Sequence, residues 1–343
     1  MTATLPDWSR PGCYEAASGV HRIPLAMPND GLRAINIYAI ETPGGLVLID
    51  GGWHVSATLD ELDRALRSID RGLGDVSAVH VTHIHRDHYT FAVELRRLVG
   101  ARISLGRAEA PGLRAVRELG SNVPVSSLRE LARAGAANLA DKVTALTEGE
   151  PFDAADWEDP DDWLDPGSLD LGSRRLEVVA TPGHTKGHVV FHDLEAGLIF
   201  TGDHVLPSIT PSIGFELGEW GRPLGEYLAS LSILLSRPDG VMMPAHGHHG
   251  GSVHARVEVL LAHHDQRLAE IRQVVTRRGR PITGAEIAEE LLWTRHGRTF
   301  ASLDTFNQMI AICETLAHVD VLVDRDALGS TTHSDSAVVT FAG

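Results

Sequence analysis

The stretch His83-Ile84-His85-Arg86-Asp87-His88 places four potential metal ligands within six residues. It follows a short apolar run that predicts a β-strand. Side chains two apart in an extended chain face the same way, so His83 and His85 can reach one metal ion. Asp87 and His88 come where the next helix should begin, and they can reach a second ion. The stretch therefore indicates a metal centre at the end of a strand.

Three further donors each sit in a turn that follows an apolar run, namely His184, Asp203 and His246. Alone, each would more often be a surface or turn residue. Taken in this order with the histidine cluster, they predict seven ligands from four strand ends, a set that suits a two-metal hydrolytic centre. A carboxylate has two oxygens, so Asp203 can bridge two cations.

The order and spacing of these motifs resemble the metallo-β-lactamase superfamily, and its glyoxalase II-like members more than the true β-lactamases. The resemblance covers about residues 20–250 and implies an α/β fold, a four-layer αββα sandwich. Asp50, in Leu48-Ile49-Asp50-Gly51-Gly52, matches the family's non-ligand aspartate that orients the site. The resemblance assigns His83, His85 and His184 to metal 1, Asp87, His88 and His246 to metal 2, and Asp203 to the bridge between them.

The length of 343 residues predicts more than one domain. Residues 107–170 are helical in pattern and then acidic, which we interpret as an insertion that caps the site. A solvated helical excursion without substrate contact is the alternative. The predicted parts are a catalytic domain over 1–254, a winged-helix-like domain over 255–325 and a flexible tail over 326–343.

The region after residue 255 carries three helical patterns and an apolar run, 319–323, that we interpret as a strand. It resembles the C-terminal winged-helix extension found in one branch of the superfamily. The third helix, over about 302–314, contains no Lys or Arg, whereas a helix that contacts phosphates should carry cations. We therefore expect this module to pack on the catalytic domain or to form a dimer surface. Thr283 and Glu286 predict a capping box for the second helix.

Composition narrows the class of partner. The chain has 343 residues, of which 43% are apolar and 22% charged, and its net charge is −16 with histidine neutral. An acidic surface disfavours nucleic acid or an anionic membrane as the main partner. Cys13 and Cys313 form no metal or disulfide motif, and the N-terminal residues carry no apolar signal segment. We expect a cytoplasmic enzyme, and a homodimer is compatible with the sequence.

The resemblance implies a metal-dependent hydrolase in which a metal-bridging hydroxide attacks the carbonyl of a small ester, thioester or lactone. Imidazole and carboxylate ligands suit two Zn²⁺ ions, while Fe or Mn would also fit. Asp87 is placed to relay a proton. Tyr89 could donate a hydrogen bond to a developing oxyanion, or it could simply pack at a helix start. Trp157 and Trp163 in the cap would suit an acyl or aromatic substrate.

Three other functions stay open at the level of sequence. The same two-metal chemistry cleaves phosphodiesters, and some winged-helix members of the superfamily act on RNA, although the acidic charge argues against a nuclease. A non-enzymatic winged-helix regulator with a vestigial metal domain is a second alternative, which the intact ligand set disfavours. An oxygenase with one iron, as in persulfide-oxidising relatives, is the third.

Overall fold

The computed structural model describes residues 7–27, 31–215, 217–218, 221–294 and 296–343. Two mixed β-sheets form its centre. Within the described residues the first sheet contains, in spatial order, β1 (Tyr14–Ala17), β2 (Val20–Ala26), β3 (Ala34–Thr42), β4 (Gly45–Ile49), β5 (Val76–Val81), β6 (Arg102–Gly106) and β7 (Asp162–Leu164). The second contains β12 (Val241–Pro244), β11 (Leu198–Gly202), β10 (Val189–Asp193), β9 (Arg175–Ala180) and β8 (Gly167–Asp170).

Helices cover the outer face of each sheet. Helices α1 (Thr58–Arg67) and α2 (Arg86–Val99) share one apolar core with the first sheet, and α6 (Pro223–Leu235) and α7 (Val253–Arg278) share another with the second. A third core lies between the sheets, where Tyr38 packs edge-on against Phe200 at 5.3 Å between ring centroids. Burial of these three apolar layers stabilises the fold. The result is the α/β arrangement of four layers that the sequence predicts.

Strand direction decides where the polar motifs meet. Strands β4 to β7 are parallel in the first sheet, and β11 and β12 are parallel in the second. Strands β3 and β4 form an antiparallel hairpin. Parallel strands end at a common edge, so the loops that follow β5, β11 and β12 can converge there.

The segment 107–170 differs from the single capping insertion that we predicted. Its helical part is present as α3 (Ala110–Leu119), α4 (Val125–Arg133) and α5 (Ala137–Thr147), but its last residues form β7 and β8 of the two sheets. Its acidic residues form ion pairs with arginines of the catalytic core, including Glu158 with Arg96 and Arg97. The acidic stretch is therefore attached along the first sheet rather than suspended over the site.

The C-terminal region is continuous with the catalytic domain. Helix α7 crosses the predicted boundary at 254/255, and its buried residues from Val253 to Val275 belong to one core. The remaining elements are β13 (Ile282–Thr283), α8 (Gly284–Glu290), β14 (Leu292–Trp293), β15 (Arg298–Thr299), α9 (Thr305–Asp324), β16 (Gly329–Thr332) and β17 (Val339–Ala342). The capping box of Thr283 and Glu286 at α8 is confirmed.

Two predictions for this region are wrong. Residues 319–323 continue helix α9 and are not a strand. The prediction failed because this run is buried on most sides, and a fully buried helix lacks the apolar period that would distinguish it from a strand. Residues 326–343 do not fray, since β16 and β17 form a hairpin that pairs with β13 and buries Phe341 completely. Helix α9 is long and apolar enough to span a membrane, yet 67% of its most apolar window is buried inside the protein, as in a core helix.

A buried histidine pair joins α7 to α9. The Nδ1 atom of His264 lies 3.0 Å from Nε2 of His318, whose own Nδ1 donates a hydrogen bond to the Glu314 carbonyl. Burial lowers the pKa of His264 to about 2, with His318 adding to the effect. Burial also lowers the pKa of His318 to about 3. Both side chains are therefore neutral in the folded protein at neutral pH.

We predict that this pair makes the protein less stable as the pH falls. Both residues have an ordinary pKa near 6.5 when unfolded, so below that pH the unfolded chain binds protons that the folded chain excludes. Each histidine should then lower the free energy of unfolding by up to about 1.4 kcal/mol per pH unit, until its folded pKa is reached. Urea unfolding between pH 5 and pH 8 measures this slope. The double variant His264→Leu/His318→Leu should have a shallower slope, while the exposed control His333→Leu should keep it. Equal slopes in wild type and double variant would contradict the prediction.

Candidate metal centre

All seven predicted ligands lie at one edge of the two sheets. His83 and His85 occupy the turn between β5 and α2, and Asp87 and His88 lie in the first turn of α2. The other three follow β9, β11 and β12, and they are His184, Asp203 and His246. The chain contains further buried histidines, but the grouping of donor atoms singles out these positions.

The first cluster consists of three imidazoles. The Nε2 atoms of His83 and His184 each lie 3.0 Å from Nδ1 of His85. Three ring nitrogens thus surround one point, which is the arrangement in which zinc is held by histidines. His83 and His184 are buried, and His85 is half-buried. This cluster contains the three residues that the resemblance assigns to metal 1.

The second cluster adds two carboxylates. Nε2 of His246 lies 3.3 Å from Oδ2 of Asp87 and 3.3 Å from Oδ1 of Asp203, and Nε2 of His88 lies 3.6 Å from the same Asp87 oxygen. The other oxygen of Asp203, Oδ2, faces the first cluster at 3.6 Å from Nε2 of His184. Asp203 therefore presents one oxygen to each cluster, as a bridging ligand would.

The donor atoms fit a cation. Buried polar atoms almost always have hydrogen-bond partners, but Nε2 of His88, Nε2 of His246 and Oδ1 of Asp203 are buried and have no such partner among the described residues. These three atoms face one another, and the groups that face the two carboxylates there are imidazoles, which carry a positive charge only when protonated. A divalent cation between them would satisfy all three.

The far side of two of the rings is anchored by a backbone carbonyl. Nδ1 of His246 lies 2.8 Å from the Ala34 carbonyl, and Nδ1 of His184 lies 2.8 Å from the Ser212 carbonyl. A carbonyl only accepts, so both Nδ1 atoms donate and both Nε2 lone pairs point to the centre. This fixes the tautomer that a metal ligand needs.

Asp50 has the orienting position that the resemblance implies. One of its oxygens accepts hydrogen bonds from the backbone N–H and the hydroxyl of Thr82, at 2.8 and 2.9 Å. The other lies 3.0 Å from Nδ1 of His88. Asp50 itself has a positive φ of 64°, which few non-glycine residues adopt. The carboxylate therefore joins the end of β5 to a ligand on α2.

His188, which lies outside the predicted ligand set, positions Asp203. Its Nε2 accepts a hydrogen bond from the backbone N–H of Asp203 at 3.2 Å, and its Nδ1 lies 2.8 Å from the Thr181 hydroxyl. Gly202 makes this contact possible. Its φ is +49°, and a Cβ there would come within 2.7 Å of Nε2 of His188 and of the Thr82 hydroxyl.

The neighbouring charges and the burial of the centre shift the pKa values of its histidines and of Asp87. Burial opposes a charge on His88, but Asp50, Asp87 and Asp203 outweigh it and raise its pKa to about 10. Burial would raise the pKa of Asp87, yet the neighbouring histidines His88 and His246 hold it well below its usual range. In the first cluster, burial and the adjacent imidazoles hold the pKa of His83 and His85 well below 6.5. The first cluster therefore holds neutral imidazoles, whereas His88 carries a proton that a cation bound to its ring would have to displace.

Three aromatic residues are placed differently from the predicted roles. Tyr89 is fully buried, and its hydroxyl donates to the Glu158 carbonyl, so it packs on the acidic stretch instead of facing a substrate. Trp157 is also buried, and Trp163 packs against the same core below the first sheet. The catalytic role expected of Tyr89 and the substrate contact expected of the two tryptophans are therefore corrected.

Glu109 is a site residue that sequence analysis did not find. It is buried, and it accepts hydrogen bonds from the Thr185 hydroxyl at 2.5 Å and from the backbone N–H of Ile84 at 3.4 Å. Thr185 follows a ligand of the first cluster, and Ile84 lies between the other two. Burial raises the pKa of Glu109 to about 7, and the hydrogen bonds from Thr185, Ile84 and Gly187 limit the rise. The carboxylate thus ties together both loops that supply this cluster.

Comparisons with known proteins agree with this geometry. The family model described as "Metallo-beta-lactamase superfamily" matches residues 30–246, a range that contains all the ligands. The Bacillus subtilis protein "Probable metallo-hydrolase YqjP" is 23% identical over 83% of this chain and 86% of its own length. The crystal structure of the "metallo-beta-lactamase family protein TTHA1429" of Thermus thermophilus has a TM-score of 0.76 at 26% identity, and the match covers 95% of this chain and 99% of that one.

A more distant relative carries a more specific name. "Hydroxyacylglutathione hydrolase" of Cereibacter sphaeroides is 23% identical over 51% of this chain, and the match spans about half (52%) of that protein's length.

We predict that Glu109→Ala weakens metal retention. Loss of the carboxylate frees the loops that carry the first cluster, and groups that support ligands in this way contribute about 10- to 100-fold to metal affinity. Zinc content after dialysis against a graded series of chelator concentrations measures the effect. Glu109→Gln keeps the size and one acceptor, so it should fall between wild type and Glu109→Ala.

The matched control is Glu130→Ala. Glu130 is equally buried but pairs with Arg133 on α4. A Glu109→Ala protein that melts at a lower temperature but holds zinc as tightly as the Glu130→Ala control would contradict the prediction.

Proposed function

The chain belongs to the metallo-beta-lactamase superfamily, and from this premise we propose that it is a binuclear metallo-hydrolase of small esters, thioesters or lactones. The observation that carries the proposal is the position of Asp203, whose two oxygens face two adjacent donor clusters. A donor set divided in this way suits two divalent cations with a shared ligand. Imidazole and carboxylate donors without a thiolate favour Zn²⁺, and iron or manganese fits the same set.

Two cations bound here would lower the pKa of a water molecule toward neutrality and polarise a substrate carbonyl. The residues of the chain do the remaining work. The Ala34 and Ser212 carbonyls hold the rings of His246 and His184, and Asp50 holds that of His88, so the ligands keep their directions through the reaction. Asp87 lies at the N-terminus of α2 and has a second carboxylate oxygen, which is placed to take up and return a proton.

The substrate class is proposed on three grounds. The relative "Hydroxyacylglutathione hydrolase" has a name that specifies an acyl derivative of glutathione, which supports an acyl substrate. The net charge of −16 disfavours a polyanion such as RNA. The basic cluster Arg277, Arg278 and Arg280 is already engaged, because these side chains pair with Glu290 and Glu286.

We further propose that the C-terminal region is a winged-helix module that serves the enzyme rather than DNA. The order of α7, β13, α8, α9 and the β16–β17 hairpin, with the short β14–β15 pair between α8 and α9, supports this, as does the pairing of β13 with the β16–β17 hairpin. Helix α9 takes the place of a reading helix, yet residues 305–324 carry no Lys or Arg. A cytoplasmic location and a homodimer stay predictions.

We predict that the zinc-reconstituted protein hydrolyses at least one of a thioester, a lactone and a carboxyl ester, assayed beside single-stranded RNA. Elemental analysis should find two metal ions per chain. Asp203→Ala should lower kcat/KM by about 10³-fold or more and lower metal content, because it removes a ligand from both clusters. His333→Ala, which removes an exposed histidine, should behave as wild type.

Three results would overturn the proposal. The first is RNA cleavage that is faster than hydrolysis of every acyl substrate. The second is an Asp203→Ala protein with unchanged turnover. The third is a single iron ion per chain with no hydrolysis, which would favour the oxygenase.

A further inference from the structure

A row of aromatic rings leads from the first cluster to the protein surface. The ring of Phe215 lies 5.7 Å from that of His85, measured between centroids. Phe306, in the first turn of α9, packs on Phe215 at 5.9 Å with the planes inclined by 63°. Phe306 is 41% exposed. The row begins at a metal ligand of the catalytic domain and ends on the C-terminal module.

Both phenylalanines are held in place by polar contacts of the chain around them. Asp304 caps α9 by accepting a hydrogen bond from the Asn307 N–H at 2.9 Å, which fixes the start of the helix and thus the position of Phe306. The chain is anchored on both sides of Phe215. Before it, the Ser212 carbonyl accepts a hydrogen bond from Nδ1 of His184, and after it, the Gly218 carbonyl accepts one from the hydroxyl of Ser126. The exposed rings are therefore part of a defined surface.

An exposed aromatic ring beside a polar centre needs an explanation in terms of packing or binding. Most of the apolar residues of α9 from Met309 to Leu322 are buried in the core, so the helix does not need Phe306 for its own packing. An apolar surface that continues from a reactive centre is where the non-reacting, apolar part of a substrate gains binding energy.

We infer that Phe215 and Phe306 bind the apolar acyl part of the substrate, so that the C-terminal module determines which acyl groups the enzyme accepts. This inference rests on the proposed hydrolase function and adds to it a preference for acyl groups long enough to pass both rings. The carbonyl lies at the metal centre, and the chain extends across Phe215 toward Phe306. A buried methylene contributes about 0.8 kcal/mol, which is about a fourfold gain in kcat/KM.

The test compares acetyl, hexanoyl and decanoyl esters of one leaving group. In the wild type, kcat/KM should rise with chain length. Phe306→Ala should lower kcat/KM for the decanoyl ester by about tenfold, mainly through KM, and leave the acetyl ester within about twofold. Phe306→Leu should recover most of the loss, since it restores apolar surface. Leu292→Ala is the matched control, because Leu292 is 58% exposed in the same module on β14.

Failure of the inference and failure of the proposed function give different results. If acyl esters are hydrolysed without chain-length dependence, or if Phe306→Ala slows acetyl and decanoyl esters alike, the inference is overturned and the hydrolase stands. If no acyl ester is hydrolysed, the function fails, and calorimetry with decanoate then tests the rings alone. Wild type should bind decanoate more tightly than Phe306→Ala does, and equal affinities would overturn the inference.

Discussion

The position of the Asp203 carboxylate is the constraint on which the centre depends. One carboxylate must reach two clusters, each of which combines residues from both sheets, while it is buried at 7% exposure among imidazoles. Gly202 lets the backbone before Asp203 come close to His188 and Thr82, and the N–H of Asp203 donates a hydrogen bond to His188. Burial of an uncompensated carboxylate is costly. Cations bound between the clusters would offset that free-energy cost. The arrangement therefore suits a metal site better than an ordinary packed interior.

The two sheets are coupled at the same place. Thr82 directly follows β5, and its hydroxyl donates a hydrogen bond to Asp50. The backbone carbonyl of Thr82 accepts a hydrogen bond from the N–H of Val189 at the start of β10, in the second sheet. Tyr38 and Asn36 of β3 donate to the Pro244 carbonyl at the end of β12, two residues before His246. The ligands are thus fixed by contacts that cross from one sheet to the other. The centre forms only when both sheets are docked, so its geometry is a consequence of the fold's own core.

The ligand set could be predicted from sequence because each ligand stands in a local motif at a strand end, and parallel strands bring such ends together. The supporting residues could not. Glu109 meets the ligand loops, and Phe306 meets Phe215, only in the tertiary structure, and nothing in their local sequence distinguishes them. Some elements of the fold also lack a clear hydrophobic period in the sequence. Strand β2 contains Pro24 and two basic residues, and helix α6 is apolar on most sides. The prediction of a strand over 319–323 was wrong for the same reason.

The continuous core explains how the C-terminal module can take part in the chemistry. Helix α7 runs from the second sheet into the module, and Arg133 of α4 is joined to Asp320 of α9 by an ion pair. A module held only by a linker could not place a side chain near the metal ligands with any accuracy. Here α9 begins beside Phe215, and its first turn offers an aromatic ring rather than a cation. On the winged-helix proposal and the inferred role of Phe306, the helix that would contact phosphates in a DNA reader would here contact an apolar substrate.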